Sequence, residues 1–415
     1  MRFDEILTND DVLDGLWDMH FDECTPVQEA TIPLVMEGRD MIACAQTGTG
    51  KTAAYLLPVI NRLADGGFPE DAVNCVIMAP TRELAQQIDR QLQGFAYFMP
   101  VSGTAIYGGT DGITYEQQRK SLKMGTDIVI ATPGRLLAHL SMGYVDLSKV
   151  SFFILDEADR MLDMGFYDDI MQIWSHIPKT AQVLMFSATM PPKIRTMASK
   201  ILKEPAEVSL AVSKPADNVS QGAYICYENQ KLPVLKDMFK DNPPQRVIIF
   251  ASSKLKVKKL AAELRKLKYR IGEMHSDLEQ AVRDNVMLDF KAGKTNVIVA
   301  TDIISRGIDI DDIEMVINYD VPREAEDYIH RIGRTARANR KGEAVTFATP
   351  EDFMRLRRIE KLLENEVPKL KVPQELGEVP DYDKSKKPVR KKPYRHSRKK
   401  CSGSRNSAAR IRKAQ

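Results

Sequence analysis

The sequence has few cysteines, no long apolar run and no apolar leader behind its first methionine. Its five cysteines are scattered and show neither Cys-x-x-Cys nor Cys/His spacing, which argues against a disulfide framework and a zinc site. No run of about 18 apolar residues occurs, and the chain opens with polar residues at Arg2, Asp4 and Glu5. These absences predict a soluble protein of the cytoplasm.

Charge is distributed unevenly along the chain. The 415 residues carry 60 Lys and Arg against 57 Asp and Glu, but residues 384–415 hold 14 of the basic residues and none of the acidic ones. The remaining body therefore has a net charge of about −11. A cationic arm of this kind suits a polyanion, with nucleic acid the first candidate and an acidic membrane surface the second. Because the arm has almost no large apolar residues, we predict that it is disordered when unbound.

Short apolar runs alternate with helical patterns along most of the chain, whose length is enough for two or three domains. The runs end in polar or glycine residues, which is typical of a parallel sheet covered by helices on both faces. Residues 213–221 are polar and interrupt the alternation, so they predict a linker. We therefore predict an α/β chain with domains at 1–212 and 222–370 and a basic tail at 371–415.

A glycine-rich turn lies between an apolar run and a helical stretch and consists of Ala45, Gln46, Thr47, Gly48, Thr49, Gly50, Lys51 and Thr52. In such a turn backbone N–H groups point at phosphate, Lys51 supplies charge to the outer phosphates and the Thr52 hydroxyl can ligate Mg²⁺. Ala45 stands where the usual motif has glycine, and a surface turn is the competing interpretation. The strand before and the helix after favour a site for a nucleoside triphosphate.

A second motif places acids at the end of an apolar run, at Asp156, Glu157 and Asp159. An isolated pair of acidic residues after a strand usually lies in a solvated turn. Downstream of a phosphate loop, however, hydrolysis needs one carboxylate near Mg²⁺ and another that orients or deprotonates the attacking water. Asp156 fits the metal role and Glu157 the role of catalytic base.

The second half of the chain lacks a phosphate loop but contains three arginines within seven residues, Arg331, Arg334 and Arg337. They would ordinarily form a solvated face. In a protein whose single triphosphate site lies in the other half, they could instead reach across a cleft as arginine fingers. Hydrolysis would then require the two halves to close on each other.

Taken together, these stretches resemble a DEAD-box ATP-dependent RNA helicase, a superfamily 2 enzyme of the bacterial type. The resemblance covers residues 1 to about 370 and rests on eleven stretches in the family's order: Phe3/Phe21/Gln28, 45–52, 80–85, 108–109, 132–135, 156–159, 187–189, 247–252, 275–283, 300–310 and 330–337. It implies two tandem RecA-like domains, in agreement with the strand and helix pattern. It also implies ATP and Mg²⁺ as cofactors and RNA, single-stranded or in short duplexes, as the partner.

The resemblance assigns nucleotide contacts to matching positions. In the adenine-recognition (Q-motif) segment, Gln28 would pair with the adenine edge while Phe21 stacks on the ring. Asp309 would contact the ribose. The γ-phosphate region and the phosphates would be met from the second domain by His330, Arg334 and Arg337.

The resemblance also implies coupling and RNA-binding residues. Ser187 and Thr189 would link the ATP site to RNA through Asp159. RNA contacts are implied at Pro80, Thr81, Arg82, Gly109, Thr132 and Arg135 in the first domain and at Arg283 and Thr301 in the second. Contacts of these types are directed at phosphates and sugars, so we expect binding that is largely independent of base sequence.

Three residues depart from the family pattern. His20 stands where glycine is common, Cys24 where proline is common, and Ala336 where the arginine motif usually has glycine. The first two would loosen the turn beside the adenine-recognition segment, and Ala336 adds a methyl group beside the fingers. None of them removes a catalytic group.

The predicted function is ATP-driven, local unwinding of RNA duplexes or remodelling of RNA–protein complexes. An RNA-stimulated ATPase clamp or scaffold without productive unwinding is the alternative. A DNA helicase or translocase stays open, because no residue of the sequence reports a contact to a 2′-hydroxyl. We expect a monomer without membrane contacts, and ribosomal or RNA-decay complexes are the candidate assemblies.

Overall fold

The chain is built around two sheets of seven strands each, in which every strand pair is parallel. The computed structural model describes residues 1–45, 48–109, 112–210, 219–241, 243–302, 313–335 and 342–382. Within these ranges the first sheet belongs to residues 41–209 and the second to residues 219–370. The predicted α/β class with two sheet domains is confirmed.

The first domain has the strands β1 (Met41–Cys44), β2 (Cys75–Met78), β3 (Gly103–Ile106), β4 (Ile128–Ala131), β5 (Phe152–Leu155), β6 (Gln182–Ser187) and β7 (Ala206–Ser209). Its helices are α1 (Asp10–Asp18), α2 (Pro26–Met36), α3 (Lys51–Ala64), α4 (Arg82–Phe95), α5 (Gly112–Met124), α6 (Pro133–Ser141), α7 (Ala158–Asp163), α8 (Tyr167–Trp174) and α9 (Pro192–Ile201).

The second domain has the strands β8 (Val219–Ile225), β9 (Val247–Phe250), β10 (Ile271–Met274), β11 (Val297–Ala300), β12 (Met315–Asn318), β13 (Gly342–Ala348) and β14 (Lys369–Leu370). Its described helices are α10 (Glu228–Asp241), α11 (Lys254–Arg265), α12 (Gln280–Lys291), α13 (Ala325–Ile332) and α14 (Phe353–Leu362).

The two sheets have the same strand order. The first runs β3-β4-β2-β5-β6-β1-β7 and the second β10-β11-β9-β12-β13-β8-β14, which is the same order when counted from β8. The resemblance between the halves that is visible in the sequence therefore reflects one topology used twice.

The central strands are apolar along their whole length because helices cover both faces of each sheet. In β5 all four residues are buried, and alternate side chains enter different cores. Phe152 and Ile154 pack in the core that includes α3 and α4, whereas Phe153 and Leu155 pack in the core that includes α8 and α9. This arrangement explains why the strands are continuous apolar runs rather than alternating ones.

Parallel pairing brings the carboxyl ends of the strands to one edge of the first sheet. The register pairs Met41 with Leu184 and Cys44 with Ser187, so β1 and β6 end side by side. β2 pairs with both β4 and β5, and their last residues Met78, Ala131 and Leu155 are also in register. The loops that follow β1, β2, β4, β5 and β6 consequently start next to one another, which is where ligands bind in such sheets.

Two predicted domain edges differ from the element bounds. Residues 219–221 were assigned to the linker but begin β8, and the preceding linker residues 213–218 lie outside the described residues. Residues 371–382 were assigned to the tail but lie on the second domain, where the Gln230 amide donates hydrogen bonds to the carbonyls of Leu376 (2.8 Å) and Glu378 (2.9 Å). The predicted disorder of the rest of the tail falls on residues 383–415, outside the described residues.

The physical reason for the second difference is a set of apolar side chains in an otherwise polar stretch. Val372 and Leu376 pack against the core of the second domain. Tyr382 packs edge-on against Phe353, with ring centroids 4.9 Å apart, and its hydroxyl donates to Glu360 Oε2 at 2.9 Å. The basic composition that marks the tail therefore begins after this segment.

Within the described ranges no helix is both long enough and apolar enough to cross a membrane. Cys24, Cys44, Cys75 and Cys226 are free thiols there. The same part of the chain contains no cluster of three or more His, Cys, Asp or Glu side chains that could hold a metal ion.

A buried ion pair fixes the carboxyl edge of the second sheet. Lys231 is fully buried, and its ammonium lies 2.8 Å from Asp320 Oδ1, while Lys256 lies 2.7 Å from the same oxygen. The backbone N–H of Ser252 donates to Asp320 Oδ2 at 2.8 Å. Burial by itself would raise the pKa of Asp320, but the two ammonium groups and the hydrogen bonds hold it well below its usual range.

We predict that Asp320→Asn lowers the free energy of unfolding by about 3 kcal/mol at neutral pH, because it leaves the buried Lys231 ammonium with only the exposed Glu228 carboxylate, 2.9 Å away, as counter-charge. The depressed pKa of Asp320 means that its stabilisation is present above about pH 4 and is lost as the pH falls below that value. The difference between wild type and variant in urea unfolding should therefore shrink in acid. Asp277→Asn, which changes an exposed carboxylate paired with Lys254 at 2.8 Å, is the control and should have little effect. An equal loss in both variants would contradict this account of Lys231.

Candidate active site

The phosphate loop begins directly after β1 and ends in the first turn of α3. Gly48 and Gly50 have φ angles of 86° and 89°, a left-handed conformation that glycine adopts without a steric penalty. A Cβ atom at Gly50 would lie 2.5 Å from the Gln28 amide nitrogen, so the loop also needs glycine there for lack of space. The backbone N–H of Ala45 donates to the carbonyl of Ser187 at 3.0 Å. Gln46 and Thr47, which were predicted to complete the cradle, lie outside the described residues.

Lys51 is nearly enclosed by the loop that it belongs to. Its side chain is buried, and its ammonium donates to the carbonyl of Ala45 at 2.9 Å. Among the residues described around the loop this is its one hydrogen bond, and an ammonium group has two further protons that can be donated to phosphate oxygens. Thr52 follows it in the first turn of α3, with its side chain half-buried.

Asp156 is buried beside the loop at the end of β5. The Tyr55 hydroxyl donates to its Oδ2 and the Glu157 backbone N–H to its Oδ1, both at 2.9 Å. Burial raises the pKa of Asp156 to about 6, although the nearby charge of Lys51 acts in the opposite direction. A buried carboxylate that lacks a full counter-charge is suited to a cation. Together with the Thr52 hydroxyl it offers the hard oxygen donors that Mg²⁺ takes while keeping several of its waters.

Tyr55 is a residue that the sequence reasoning missed. It lies one helical turn after Lys51 on α3, so the two side chains share a face of the helix. The sequence shows Tyr55 four residues after Lys51. Its hydrogen-bond partner Asp156, however, is 101 residues away in sequence, so the spacing alone does not indicate the contact.

Glu157 has an unusual backbone for a residue with a side chain. Its φ of 49° and ψ of 50° are left-handed, which costs a non-glycine residue about 1–2 kcal/mol. Its Oε2 accepts a hydrogen bond from Arg160 Nη1 at 3.2 Å, and both side chains are buried. Arg160 was also missed. It follows residues 156–159, the acidic tetrad, and an arginine at such a place ordinarily indicates a solvated helix. Strain of this kind is concentrated at functional sites.

The three residues predicted to couple ATP to RNA form one hydrogen-bonded group. Asp159 Oδ2 accepts from both the backbone N–H and the hydroxyl of Thr189, each at 3.0 Å. Ser187 donates its hydroxyl to the Thr189 carbonyl at 2.7 Å and accepts from the Asp159 N–H at 3.3 Å. The loop after β6 is thereby joined to the acidic tetrad.

Gln28 joins the adenine-recognition segment to the phosphate loop. Its Oε1 accepts from the Thr25 N–H at 2.8 Å, and its Nε2 donates to the Gly50 carbonyl at 3.1 Å. Each amide atom retains capacity for one more hydrogen bond, which is what pairing with an adenine edge requires. Phe21 is half-buried and packs edge-on against Phe95, with centroids 5.5 Å apart. Phe3 is a core residue.

The turn before this segment explains one departure from the family pattern. His20 has a φ of 59°, so the position demands a left-handed backbone, and glycine would adopt it more cheaply. The predicted loosening of the turn gains no support from this conformation, since the Phe21 N–H still donates to the Leu16 carbonyl at 2.9 Å.

In the second domain the predicted phosphate contacts are only partly within the described residues. His330 and Arg334 are both buried, on and just after α13. Asp309 and Arg337 lie outside the described residues, as does the departure at Ala336.

Arg331, one of the three arginines in the predicted finger motif, has a structural role. Its Nε donates to Asp302 Oδ1 at 2.6 Å, and its Nη1 donates to Asn318 Oδ1 and to the Asp320 carbonyl, both at 2.9 Å. These contacts tie α13 to the ends of β11 and β12. These contacts explain the presence of Arg331 in the motif, and a bound nucleotide is not needed to explain it.

The residues predicted to contact RNA in the first domain lie at the carboxyl edge of its sheet, in loops and at the first residues of helices. Thr81 is the N-cap of α4, where its hydroxyl accepts from the Leu84 N–H at 3.3 Å, and Thr132 is the N-cap of α6. Pro80 is buried after β2, and Arg135 lies in the first turn of α6. Gly109 has a φ of 72° and accepts a hydrogen bond from Arg82 Nη1 at 3.1 Å.

Arg82 also connects the two domains. Its Nη2 lies 3.1 Å from Asp284 Oδ2 on α12, and its guanidinium lies 5.0 Å from the centre of the Tyr107 ring. A second contact joins Gln280 Nε2 to Glu83 Oε1 at 3.0 Å.

Of the RNA contacts predicted in the second domain, Arg283 donates to the Leu278 carbonyl at 3.1 Å, and Thr301 follows β11.

Two family models match these domains. The DEAD/DEAH box helicase model matches residues 25–197, and the helicase conserved C-terminal domain model matches residues 230–339. The DEAD-box ATP-dependent RNA helicase CshA of Geobacillus kaustophilus (strain HTA426) is 38% identical to this chain over 372 residues, which cover 89% of this chain and 78% of that protein. This chain belongs to the DEAD/DEAH box helicase family. The family and the enzyme class that the sequence predicts are therefore confirmed.

Solved helicases of this family have the same two-domain fold. S. cerevisiae Dbp5 bound to RNA and ADP BeF3 is 31% identical with a TM-score of 0.80, over 90% of this chain and 96% of that one. Mss116p bound to ssRNA and AMP-PNP is 30% identical with a TM-score of 0.80, over 90% of this chain and 80% of that one. S. cerevisiae dbp5 l327v bound to nup159, gle1 h337r, ip6 and adp is 30% identical with a TM-score of 0.61, over 87% of this chain and 95% of that one.

We predict that Gln28→Ala raises the KM for ATP about tenfold with little change in kcat, because the hydrogen bond that holds the Gly50 carbonyl of the phosphate loop is lost together with the one from Thr25. If Gln28 also reads the adenine edge, the ratio of KM values for GTP and ATP should fall towards one. Steady-state kinetics with both nucleotides measure this. Glu29→Ala, which removes the next side chain on α2, is the control. A raised KM with an unchanged GTP/ATP ratio would restrict Gln28 to holding the loop.

Proposed function

We propose that this chain is an RNA-dependent ATPase that binds RNA between its two domains, largely independently of base sequence, and unwinds short duplexes or remodels RNA–protein complexes. The observation that carries the proposal is the pair of contacts between the domains, Arg82 with Asp284 and Gln280 with Glu83. Arg82 is one of the residues predicted to bind RNA. The domains therefore meet beside the predicted RNA path.

The first domain supplies the groups for hydrolysis. Lys51 would exchange the Ala45 carbonyl for phosphate oxygens, and Thr52 and Asp156 would hold Mg²⁺, mostly through its waters. Bound there, Mg²⁺ would neutralise the charge that develops on the phosphates. Glu157 would orient or deprotonate the attacking water, with Arg160 holding its carboxylate in place at 3.2 Å.

The second domain would complete the site when the cleft closes. His330 and Arg334 lie on the element that Arg331 ties to β11 and β12. An arginine finger stabilises the charge of the transition state and is worth about 10³–10⁵ in rate. Because the finger and the phosphate loop belong to different domains, anything that favours closure accelerates hydrolysis.

RNA would favour closure by binding both domains at once. The predicted contacts in the first domain surround Arg82, whose guanidinium already bridges Gly109 and Asp284. Closure and hydrolysis would also be linked through Asp159, Ser187 and Thr189, which connect the acidic tetrad to the loop after β6. We propose further that the protein acts as a cytoplasmic monomer, with ribosomal or RNA-decay complexes as its setting.

The alternative is a clamp that binds RNA and ATP without productive unwinding. Lys51, Asp156 and Glu157 converge at one site, which favours an enzyme that turns over. A strand-displacement assay on a short RNA duplex discriminates the two. Separation that requires ATP supports unwinding, whereas RNA-stimulated hydrolysis without separation supports the clamp.

The first test is steady-state ATPase activity with no nucleic acid, with RNA and with DNA of equal length and sequence, using Lys51→Ala as the blank. RNA should stimulate hydrolysis and DNA should not. Equal stimulation by both would overturn the RNA assignment, and activity indifferent to either would overturn the coupling of hydrolysis to nucleic acid.

We predict that Glu157→Gln keeps ATP and RNA binding but lowers kcat by more than about a hundredfold, because the amide cannot accept a proton from water. Single-turnover hydrolysis and RNA binding with AMP-PNP separate the two properties. Glu70→Gln, an exposed position, is the control. Turnover within tenfold of wild type would exclude Glu157 as the base.

We predict that truncation after Asp383 weakens RNA binding most at low salt and leaves the ATPase activity without RNA intact, because it removes 14 cations. If about five of these neutralise phosphates, the slope of log K against log salt should fall by roughly 3.5. Anisotropy titrations across a salt series measure it. An unchanged slope would show that the tail has another purpose.

A further inference from the structure

A group of cations on α5 and α6 adjoins the predicted RNA contacts and shares only Arg135 with them. Arg119, Lys120 and Lys123 lie on α5, and Arg135 lies in the first turn of α6. We call these four residues the cation face. Glu116 is the one acid of α5, and it pairs with Arg119 at 3.1 Å. The face therefore retains a net positive charge.

Aromatic rings hold most of the cation face in place. Lys123 and Arg119 lie 5.5 Å and 5.8 Å from the centre of the Tyr144 ring. Arg135 lies 4.6 Å from the centre of the Tyr115 ring. A cation over a ring face is attracted by the ring's quadrupole and keeps its charge, so the rings position these side chains without neutralising them.

His139 links the two tyrosines into one unit. Its ring stacks on Tyr115 with centroids 5.0 Å apart and an interplanar angle of 18°, and its Nδ1 is hydrogen-bonded to the Tyr144 hydroxyl. Burial, followed by the charge of Arg135, lowers the pKa of His139 to about 4. It is therefore neutral at physiological pH and does not repel the cations around it.

The cation face is continuous with the predicted RNA path. α5 begins three residues after Gly109, whose carbonyl accepts from Arg82. Arg135 belongs to both sets, since it is itself a predicted RNA contact. α5 has 13 residues and is therefore about 20 Å long, so the face reaches well beyond the edge of the sheet.

We propose that the cation face binds the phosphate backbone of an RNA strand after it leaves the contacts at Gly109 and Thr132. This inference rests on the proposed function, because it extends the same RNA path. It assigns α5 a role in holding RNA longer than the strand that fits between the two domains. Lys120 and Lys123 are exposed and Arg119 is half-buried, so all three can reach a backbone.

The test compares full-length wild type with the triple variant R119Q/K120Q/K123Q. Anisotropy of fluorescein-labelled oligo(U) of about six and about twenty nucleotides is measured with AMP-PNP over a salt series. The long RNA should bind the variant roughly tenfold more weakly at low salt, with a salt slope smaller by about 2, while the short RNA changes less than twofold. The basic tail is common to both proteins, so its contribution cancels.

The matched control is K149Q/K179Q/K203Q, which removes the same charge from exposed positions of the same domain. Lys179 also rests on a ring, 4.3 Å from the centre of Trp174. Unchanged long-RNA affinity in the α5 variant, or an equal loss in the control, would overturn the inference alone. Failure of the short RNA to bind wild type or to stimulate its ATPase would overturn the proposed function as well.

A second pair of variants tests the aromatic support. Tyr144→Leu removes the ring beneath Arg119 and Lys123 and should weaken long-RNA binding about threefold, whereas Tyr144→Phe keeps the ring and should restore it. Short-RNA affinity should stay unchanged in both. A loss in Tyr144→Phe equal to that in Tyr144→Leu would show that the ring does not position the cations.

Discussion

Parallel pairing of strands that are buried on both faces is the constraint on which this site depends. Because such strands cannot carry polar side chains along their length, the predicted phosphate, metal, catalytic and coupling groups of the first domain lie at or just after the end of a strand. The register of β1, β6, β2, β4 and β5 brings those ends side by side. The residues predicted for these roles are therefore neighbours in space although more than 100 residues separate the first from the last.

The buried charges of the protein set geometry more than they add stability. A buried ion pair contributes little net free energy relative to an apolar pair, since desolvation offsets attraction. Glu157 with Arg160 and Lys231 with Asp320 are pairs of this type, and each fixes a loop that follows a strand. Asp156 differs from them because it lacks a full counter-charge, which leaves it available to a cation.

Sequence reasoning was strongest where chemistry and chain order coincide. The apolar runs predicted the strands, and the order of the motifs predicted Lys51, Asp156 and Glu157 together at one edge. It failed for partners that are distant in sequence and ordinary in type, such as Tyr55 for Asp156, or Arg331 for Asn318. It also assigned residues 371–382 to the tail. The few apolar side chains there pack on the surface of the second domain, and that surface is known only from the fold.

The contacts described between the domains, Arg82 with Asp284 and Gln280 with Glu83, are individually weak. The Arg82–Asp284 pair is partly exposed, with side-chain exposures of 17% and 50%, and such pairs are worth about 0–1 kcal/mol. Shifting a two-state equilibrium from 1:99 to 99:1 takes about 5.5 kcal/mol. ATP and RNA would each have to supply part of that difference through contacts made to both domains. For the proposed RNA-dependent ATPase, weak closure without ligands would suit coupling, because neither ligand would be redundant and each would raise the affinity for the other.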